Sequence, residues 1–87
     1  MDYRASVRVG ARVCNTRKGA KWREGVVRLI VPPRMCAARM CAKVGLRGAG
    51  RLRRGMLYDW ETYVVEAVEG GRTVLCRPAK SQIEVVA

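Results

Sequence analysis

Hydrophobic and polar residues alternate near the start of the chain, over residues 7–14. A β-strand points successive side chains to opposite faces, so this period of two predicts a half-buried strand. The residues expected to face the core are Val7, Val9, Ala11 and Val13. Residues 15–21 contain asparagine, glycine and charged side chains, and are therefore predicted to form an exposed loop.

A second strand is predicted over residues 22–31, where a largely apolar segment runs up to Pro32-Pro33. The strand ends there because proline has no amide hydrogen to donate to a strand ladder. The β pattern returns near the end of the chain, at residues 62–68, 73–77 and 83–86. Gly70-Gly71 predicts a tight hairpin between the first two of these segments, since glycine adopts the positive φ angles that such a turn needs.

Between these two groups of strands the hydrophobic period changes to three and four residues, which predicts a short helix over residues 34–44. Pro33 suits the first helical position, and Gly45 suits the C-terminal cap. The predicted apolar face consists of Cys36, Ala37, Met40, Cys41 and Val44. Residues 45–55 follow with four glycines and four arginines and with no plausible core-facing side. We therefore expect them to be mobile until an anion orders them.

Two segments carry a resemblance to a known class of small barrels. Gly10 and Val13, followed by Trp22-Arg23-Glu24-Gly25-Val26-Val27, resemble the opening "G-x-x-V … W-x-x-G-x-V" of Tudor and agenet sequences. The segment YVVEAVEGG at 63–71, followed by IEVV at 83–86, is similar to the close of those sequences. The chain thus resembles the SH3-like barrels of the Tudor, agenet and KOW type, with no counterpart for positions 32–57.

The resemblance and the strand pattern together imply one all-β domain over residues 1–87, a single SH3-like five-stranded small barrel. A basic, partly helical insertion at about residues 32–57 separates strands 2 and 3. A chain of 87 residues is about one small domain, so a large enclosed active-site cavity is not expected.

Charge is distributed unevenly along this chain, whose formal net charge is +11. Residues 1–54 carry fifteen basic and only two acidic side chains, and a stretch of one sign attracts polyanions. The candidate nucleic-acid-binding residues are Arg17, Lys18, Lys21, Arg23, Arg34, Arg39, Lys43, Arg47, Arg51, Arg53 and Arg54. We therefore expect a non-catalytic RNA-binding module, a structural component of a ribonucleoprotein particle such as a ribosome, with RNA and neighbouring proteins as partners.

Four aromatic residues support an alternative function. A Tudor-like reader binds methylated lysine or arginine in an aromatic cage, through cation–π attraction of about 0.5–2 kcal/mol per contact. The candidate cage residues are Trp22, Tyr58, Trp60 and Tyr63, with Asp59 or Glu61 as an acidic wall. Core packing is the competing interpretation, because the chain has no phenylalanine and Trp22 and Tyr63 lie in predicted strands. Stacking of a nucleobase on Tyr58 or Trp60 is a further interpretation.

A second resemblance is to the plasmid-borne, trimethoprim-insensitive dihydrofolate reductases, which are tetramers of SH3-like barrels. Gly10-Ala11-Arg12-Val13 and the Trp22 segment are similar to that family, and the resemblance implies that a four-fold repeated Arg77 would bind a cofactor phosphate. The family's Val-Gln-Ile-Tyr signature is replaced by Val74-Leu75-Cys76-Arg77. Because the ligand-contacting Gln and Tyr are absent, we expect a protein that is not an enzyme and has no cofactor.

The four cysteines, Cys14, Cys36, Cys41 and Cys76, do not form a pair with zinc-binding spacing, and the chain has no histidine. We expect free thiols and no metal site. The sequence also has no apolar run of the roughly 20 residues that span a bilayer, and no secretory signal at its start. These features predict an intracellular protein without membrane contact, and they leave the oligomeric state open.

Overall fold

The computed structural model describes residues 7–52 and 57–86, with residue 51 described by its backbone alone. Within these residues, five strands form one antiparallel sheet in the order β4-β3-β2-β1-β5. The elements run along the chain as β1 (Arg12–Asn15), β2 (Glu24–Val31), α1 (Ala37–Lys43), a first 3₁₀ helix (Ala49–Arg51), β3 (Thr62–Glu69), β4 (Arg72–Cys76), a second 3₁₀ helix (Lys80–Gln82) and β5 (Ile83–Val85). The predicted all-β chain of five strands, with a partly helical insertion between the second and third, is confirmed. The described sheet is open, and its closure into a barrel stays a prediction.

Strand β3, which lies between β4 and β2, is buried on both faces. Tyr63, Val65 and Ala67 pack on one face in a cluster that we call the Trp22 core, together with Val13, Trp22, Val27 and Ile83. Val64 packs on the opposite face in a cluster that we call the helix core, together with Val31, Ala37, Ala38, Cys41, Leu52 and Leu75. The sheet therefore separates two cores, of which the inserted segment covers one.

A bulge in β2 allows this strand to pack side chains into both cores. Val27 packs in the Trp22 core and Val31 in the helix core, although residues four apart in a regular strand share a face. The register against β3 shifts between Val27 and Leu29, so one extra residue moves the later side chains to the other face.

The start of the first strand differs from the prediction. Val9 is 61% exposed, and β1 begins only at Arg12. A turn precedes the strand, in which the amide of Ala11 donates to the carbonyl of Arg8 at 3.0 Å and Gly10 has a φ of 90°. The glycine thus breaks the alternation, and the placement of Val9 on the buried face was wrong.

The inserted segment is better packed than its composition predicts. Its helix spans residues 37–43 rather than 34–44, and Val44 is 58% exposed instead of core-facing. Gly45 follows with a φ of 75°, as expected for a helix cap. The expectation that residues 45–55 have no core-facing side was wrong, because Leu52 is only 6% exposed and lies in the helix core.

Two glycine positions constrain the sheet. Gly70 and Gly71 have φ angles of 58° and 78°, which confirms the predicted hairpin turn. At Gly25, a Cβ atom would lie 2.7 Å from the carbonyl oxygen of Glu66 on the neighbouring strand. That position therefore accepts no side chain without a shift of β2 away from β3.

Candidate nucleic-acid interface and aromatic groove

Seven of the eleven predicted nucleic-acid-binding residues form two groups that are exposed to solvent. One group lies on the loop between β1 and β2, and the other on α1 and the turn after it. The exposed members are Arg17, Lys18, Lys21, Arg23, Arg39, Lys43 and Arg47. None of these seven forms an ion pair with a carboxylate in the described part of the chain. Both groups thus present positive charge that the domain's own described carboxylates do not neutralise.

Each basic group is attached to a different core. The β1–β2 loop is anchored by Trp22, which is 7% exposed and packs in the Trp22 core. Helix α1 buries Ala37 and Cys41 in the helix core and keeps Arg39 and Lys43, four residues apart, on its outward side. The sheet therefore lies between the attachment points of the two groups.

The remaining predicted basic residues are placed differently. Arg34 forms an ion pair with Asp59 at 2.8 Å between Nη1 and Oδ1. The side chain of Arg51, and Arg53 and Arg54 altogether, lie outside the described residues. Among the described candidates, Arg34 is thus the one whose charge has an acidic partner.

Arg34 occupies a turn that fixes the segment before β3. The amide of Met35 donates to the carbonyl of Pro32 at 3.2 Å, and Arg34 has a φ of 61°, which is unusual for a residue with a side chain. In this conformation its amide donates to the carbonyl of Tyr58 at 2.6 Å, in addition to the side-chain contact with Asp59. Residue 34 is thus tied to the 57–60 segment through both its backbone and its side chain.

The 57–60 segment forms one wall of an open groove of about 620 Å³. Tyr58 and Trp60 lie with ring centroids 5.4 Å apart and planes inclined by 42°. Tyr63 lines the same groove, although it is only 2% exposed and also packs in the Trp22 core, whereas Trp22 does not line the groove. The structure thus brings three of the four predicted aromatic residues together. We call this feature the aromatic groove.

Arg77 holds the aromatic wall in place. Its Cζ atom lies 4.7 Å from the centroid of the Tyr58 ring, within cation–π distance. Its Nε donates to Oγ1 of Thr62 at 2.8 Å, and its Nη2 donates to the carbonyl oxygen of Met35 at 3.0 Å. Thr62 is 1% exposed, so Arg77 satisfies a buried hydroxyl. The sequence contained no signal for this role, because the contacting residues are distant along the chain.

Glu61 lies beside Tyr63 at the floor of the groove. The hydroxyl of Tyr63 donates to Oε1 of Glu61 at 2.6 Å. Burial first, and then the hydrogen bond and the negative charge of Glu61, raise the pKa of Tyr63 to about 12. Tyr63 therefore stays protonated near neutral pH and acts as a hydrogen-bond donor.

Residues 79–82 also line the groove, and they border the basic loop. The amide of Ala79 donates to Oε1 of Gln82 at 2.9 Å. Thr16, the first residue after β1, donates its amide to the carbonyl of Gln82 at 3.0 Å and its hydroxyl to the carbonyl of Ser81 at 3.4 Å. The loop that carries Arg17 and Lys18 thus begins at the edge of the aromatic groove.

No disulfide joins the four cysteines, all of which lie in the described residues. Burial first, and then the neighbouring Cys36, raise the pKa of Cys41, which favours its neutral form. Across residues 7–52 and 57–86, no three His, Cys, Asp or Glu side chains come together in a way that could hold a metal ion.

No helix in the described part of the chain combines the length and apolar character needed to span a membrane. Comparison of the chain with models of protein families, with curated proteins and with solved structures found no match. The basic groups and the aromatic groove are thus the features of the molecule that indicate a function.

Proposed function

We propose that this domain is a non-catalytic RNA-binding module and a structural component of a ribonucleoprotein particle such as a ribosome. The observation that carries the proposal is the set of seven exposed lysines and arginines that have no described carboxylate partner. Unpaired cations on one small domain repel one another, and a polyanion removes that repulsion. Phosphate groups along RNA supply the complementary charge at regular spacing.

The chemistry of the contacts suits a phosphate backbone. Arginine presents a planar fork of donors that matches the oxygens of a phosphate, and lysine adds a mobile point charge. Each neutralised phosphate releases counterions, so binding strengthens as salt falls. Contacts of this kind position a protein on RNA without selecting a sequence, which fits a structural role better than a regulatory one.

The proposal is tested by a charge-matched pair of variants. The first is Arg39→Gln/Lys43→Gln, which removes two unpaired cations from α1. Glutamine has a helix propensity similar to that of arginine and lysine, so the helix is preserved. The second is Arg12→Gln/Arg28→Gln, which removes the same charge but from residues that pair with Glu24 and Glu66. Affinity is measured by fluorescence anisotropy with a labelled single-stranded RNA.

We expect the helix variant to bind about 25-fold more weakly at ~0.1 M salt, given a loss of roughly fivefold for each phosphate contact on a single strand. The control variant is expected to remain within about threefold of the unmodified protein. Equal losses in the two variants would mean that net charge alone drives binding. No binding by the unmodified protein at low salt would overturn the proposal.

A second candidate function is a reader of methylated lysine or arginine. The observation in its favour is the convergence of Tyr58, Trp60 and Tyr63 beside Glu61 on one groove. Two cations weigh against it, since Arg77 already covers the Tyr58 ring and Lys80 lines the same groove. Titration with a trimethyllysine peptide decides the matter, because a reader binds that peptide more tightly than its unmethylated form.

A further inference from the structure

We propose that the aromatic groove binds one unpaired nucleobase, stacked on Trp60, of the strand whose phosphates contact the β1–β2 loop. The inference deepens the proposed function and rests on it for the identity of the ligand. It adds a ligand class, single-stranded nucleic acid, that the basic residues do not specify. It also divides the contacts between a stacking site and a phosphate site.

The stacking platform is the side chain of Trp60. It is 55% exposed in a chain whose other tryptophan is buried. Its partner Tyr58 has one of its ring faces covered by Arg77, so Trp60 carries the larger accessible π surface of the pair. Stacking of a base on an exposed aromatic side chain tolerates any sequence, because every base has a π face.

The platform is held in place before any ligand arrives. Arg34 fixes the backbone of Tyr58 and the side chain of Asp59, the residue between the two aromatic rings. Arg77 fixes the Tyr58 ring from the other side through its contacts with Thr62 and Met35. A site that is rigid before binding loses less conformational entropy when the ligand binds. Residues with a side chain and a positive φ, such as Arg34, persist only where their surroundings hold them, and they cluster at binding sites.

The groove wall formed by residues 79–82 provides polar groups that suit the edge of a base. Gln82 accepts a hydrogen bond from Ala79 through its side-chain oxygen, which leaves its NH₂ group as a donor. Ser81 and Lys80 line the same wall. With Lys80 and Arg77 against Glu61, the lining is net positive, which favours an aromatic ligand that carries a phosphate over a methylated cation.

Size and position point to a single flipped-out or unpaired base. The groove volume of about 620 Å³ lies within the ordinary range for sites that hold one small ligand. A base inside a duplex has both faces stacked and cannot reach Trp60. The β1–β2 loop starts where Thr16 meets Ser81 and Gln82, so Arg17 and Lys18 are close enough in the chain to contact the phosphates that follow the base.

Tryptophan fluorescence tests the inference directly, because Trp22 is buried and provides a constant background. The full chain is titrated with adenosine 5′-monophosphate, inorganic phosphate and a trimethyllysine peptide. We expect quenching by the nucleotide and none by phosphate or the peptide. Trp60→Ala should abolish the change in fluorescence. It should also weaken the binding of single-stranded RNA about tenfold, in line with the loss of one stacked base.

Val68→Ala is the matched control, since it removes an exposed apolar side chain that does not line the groove. The inference is overturned if nucleotides leave the fluorescence unchanged and Trp60→Ala binds RNA as tightly as Val68→Ala. If the α1 variant still loses affinity in that case, the proposed function survives without the groove. If nucleotides quench Trp60 but RNA does not bind at low salt, base stacking on Trp60 stands, while the bound strand and the proposed function are both overturned. Quenching by the peptide alone would assign the groove to a reader.

Discussion

The arginines of this domain differ in what they contact. Arg34 and Arg77 contact Asp59, Thr62 and the Tyr58 ring, and together they hold the aromatic groove in place. Arg39 and Arg47 extend from the inserted segment and have no acidic partner among the described residues. The same residue type thus stabilises the fold at some positions and remains available for a ligand at others. A run of positive charge in a sequence therefore contains residues of both kinds, and only their partners distinguish them.

The largest expected effect is the loss of stability when one of the arginines that hold the groove, Arg77, is replaced. Arg77→Met should lower the free energy of unfolding by about 3 kcal/mol, because it leaves the buried Thr62 hydroxyl without its donor and removes the bond to Met35. Arg39→Met, at an exposed position, should change it by less than about 0.5 kcal/mol. Urea unfolding followed by circular dichroism measures both. Similar losses in the two variants would remove the distinction between the two kinds of arginine.

Raising the pH weakens the interaction between Tyr63 and Glu61 in the groove. Tyr63 has a pKa of about 12 in the folded state, above the ordinary value of about 10 for an unfolded chain. Its contribution to stability is therefore fully present below pH ~10 and is lost as pH rises towards 12, by on the order of 2 kcal/mol. Unfolding measured between pH 9 and ~12 should show this loss. Tyr63→Phe, which cannot ionise, should lack it, and an unchanged pH dependence in that variant would contradict the assignment.

Two variants of Arg34 distinguish the energetic cost of its backbone conformation from the contribution of its ion pair with Asp59. Arg34→Ala removes the contact with Asp59 but keeps a side chain at a φ of 61°, whereas Arg34→Gly removes both the contact and the strain. We expect the glycine variant to be more stable than the alanine variant by about 1 kcal/mol. Thermal unfolding compares the two. Equal stabilities would show that the left-handed conformation costs nothing at this position.

The smallest expected effect on stability concerns the unpaired cations of the β1–β2 loop. Lys18→Gln/Lys21→Gln should change the free energy of unfolding by less than about 0.5 kcal/mol, because both side chains are exposed and have no described acidic partner. The same variant should weaken RNA binding by at least about fivefold. A stability loss comparable to that of Arg77→Met would place these lysines among the structural residues instead.

The sequence predicted the strands because their signals are local: a period of two in the first strand, and apolar segments bounded by proline or glycine in others. The hairpin at Gly70 and Gly71 was predictable for the same reason. The position of Val9 was not, since a single positive φ at Gly10 breaks the alternation. The packing of Leu52 was missed because glycine and arginine dominate the composition around it, whereas one leucine at the right place is enough to contact the helix core.

Less of the candidate site was predictable than of the fold. The aromatic residues Tyr58 and Trp60 are neighbours in sequence, so their proximity was expected. The role of Arg77 depends on Met35 and Thr62, which only the folded sheet brings together. Likewise, the ion pair of Arg34 with Asp59 spans the whole inserted segment, and no local pattern distinguishes Arg34 from Arg39.

The most direct measurement is the salt dependence of RNA binding. The logarithm of the association constant for a single-stranded RNA is measured against the logarithm of the salt concentration, for the unmodified protein, Arg39→Gln/Lys43→Gln and Arg12→Gln/Arg28→Gln. The account predicts a slope that is shallower by about 1.4 in the first variant, as expected for two lost phosphate contacts, and an unchanged slope in the second. Binding that does not respond to salt, or the same slope in all three proteins, would contradict it.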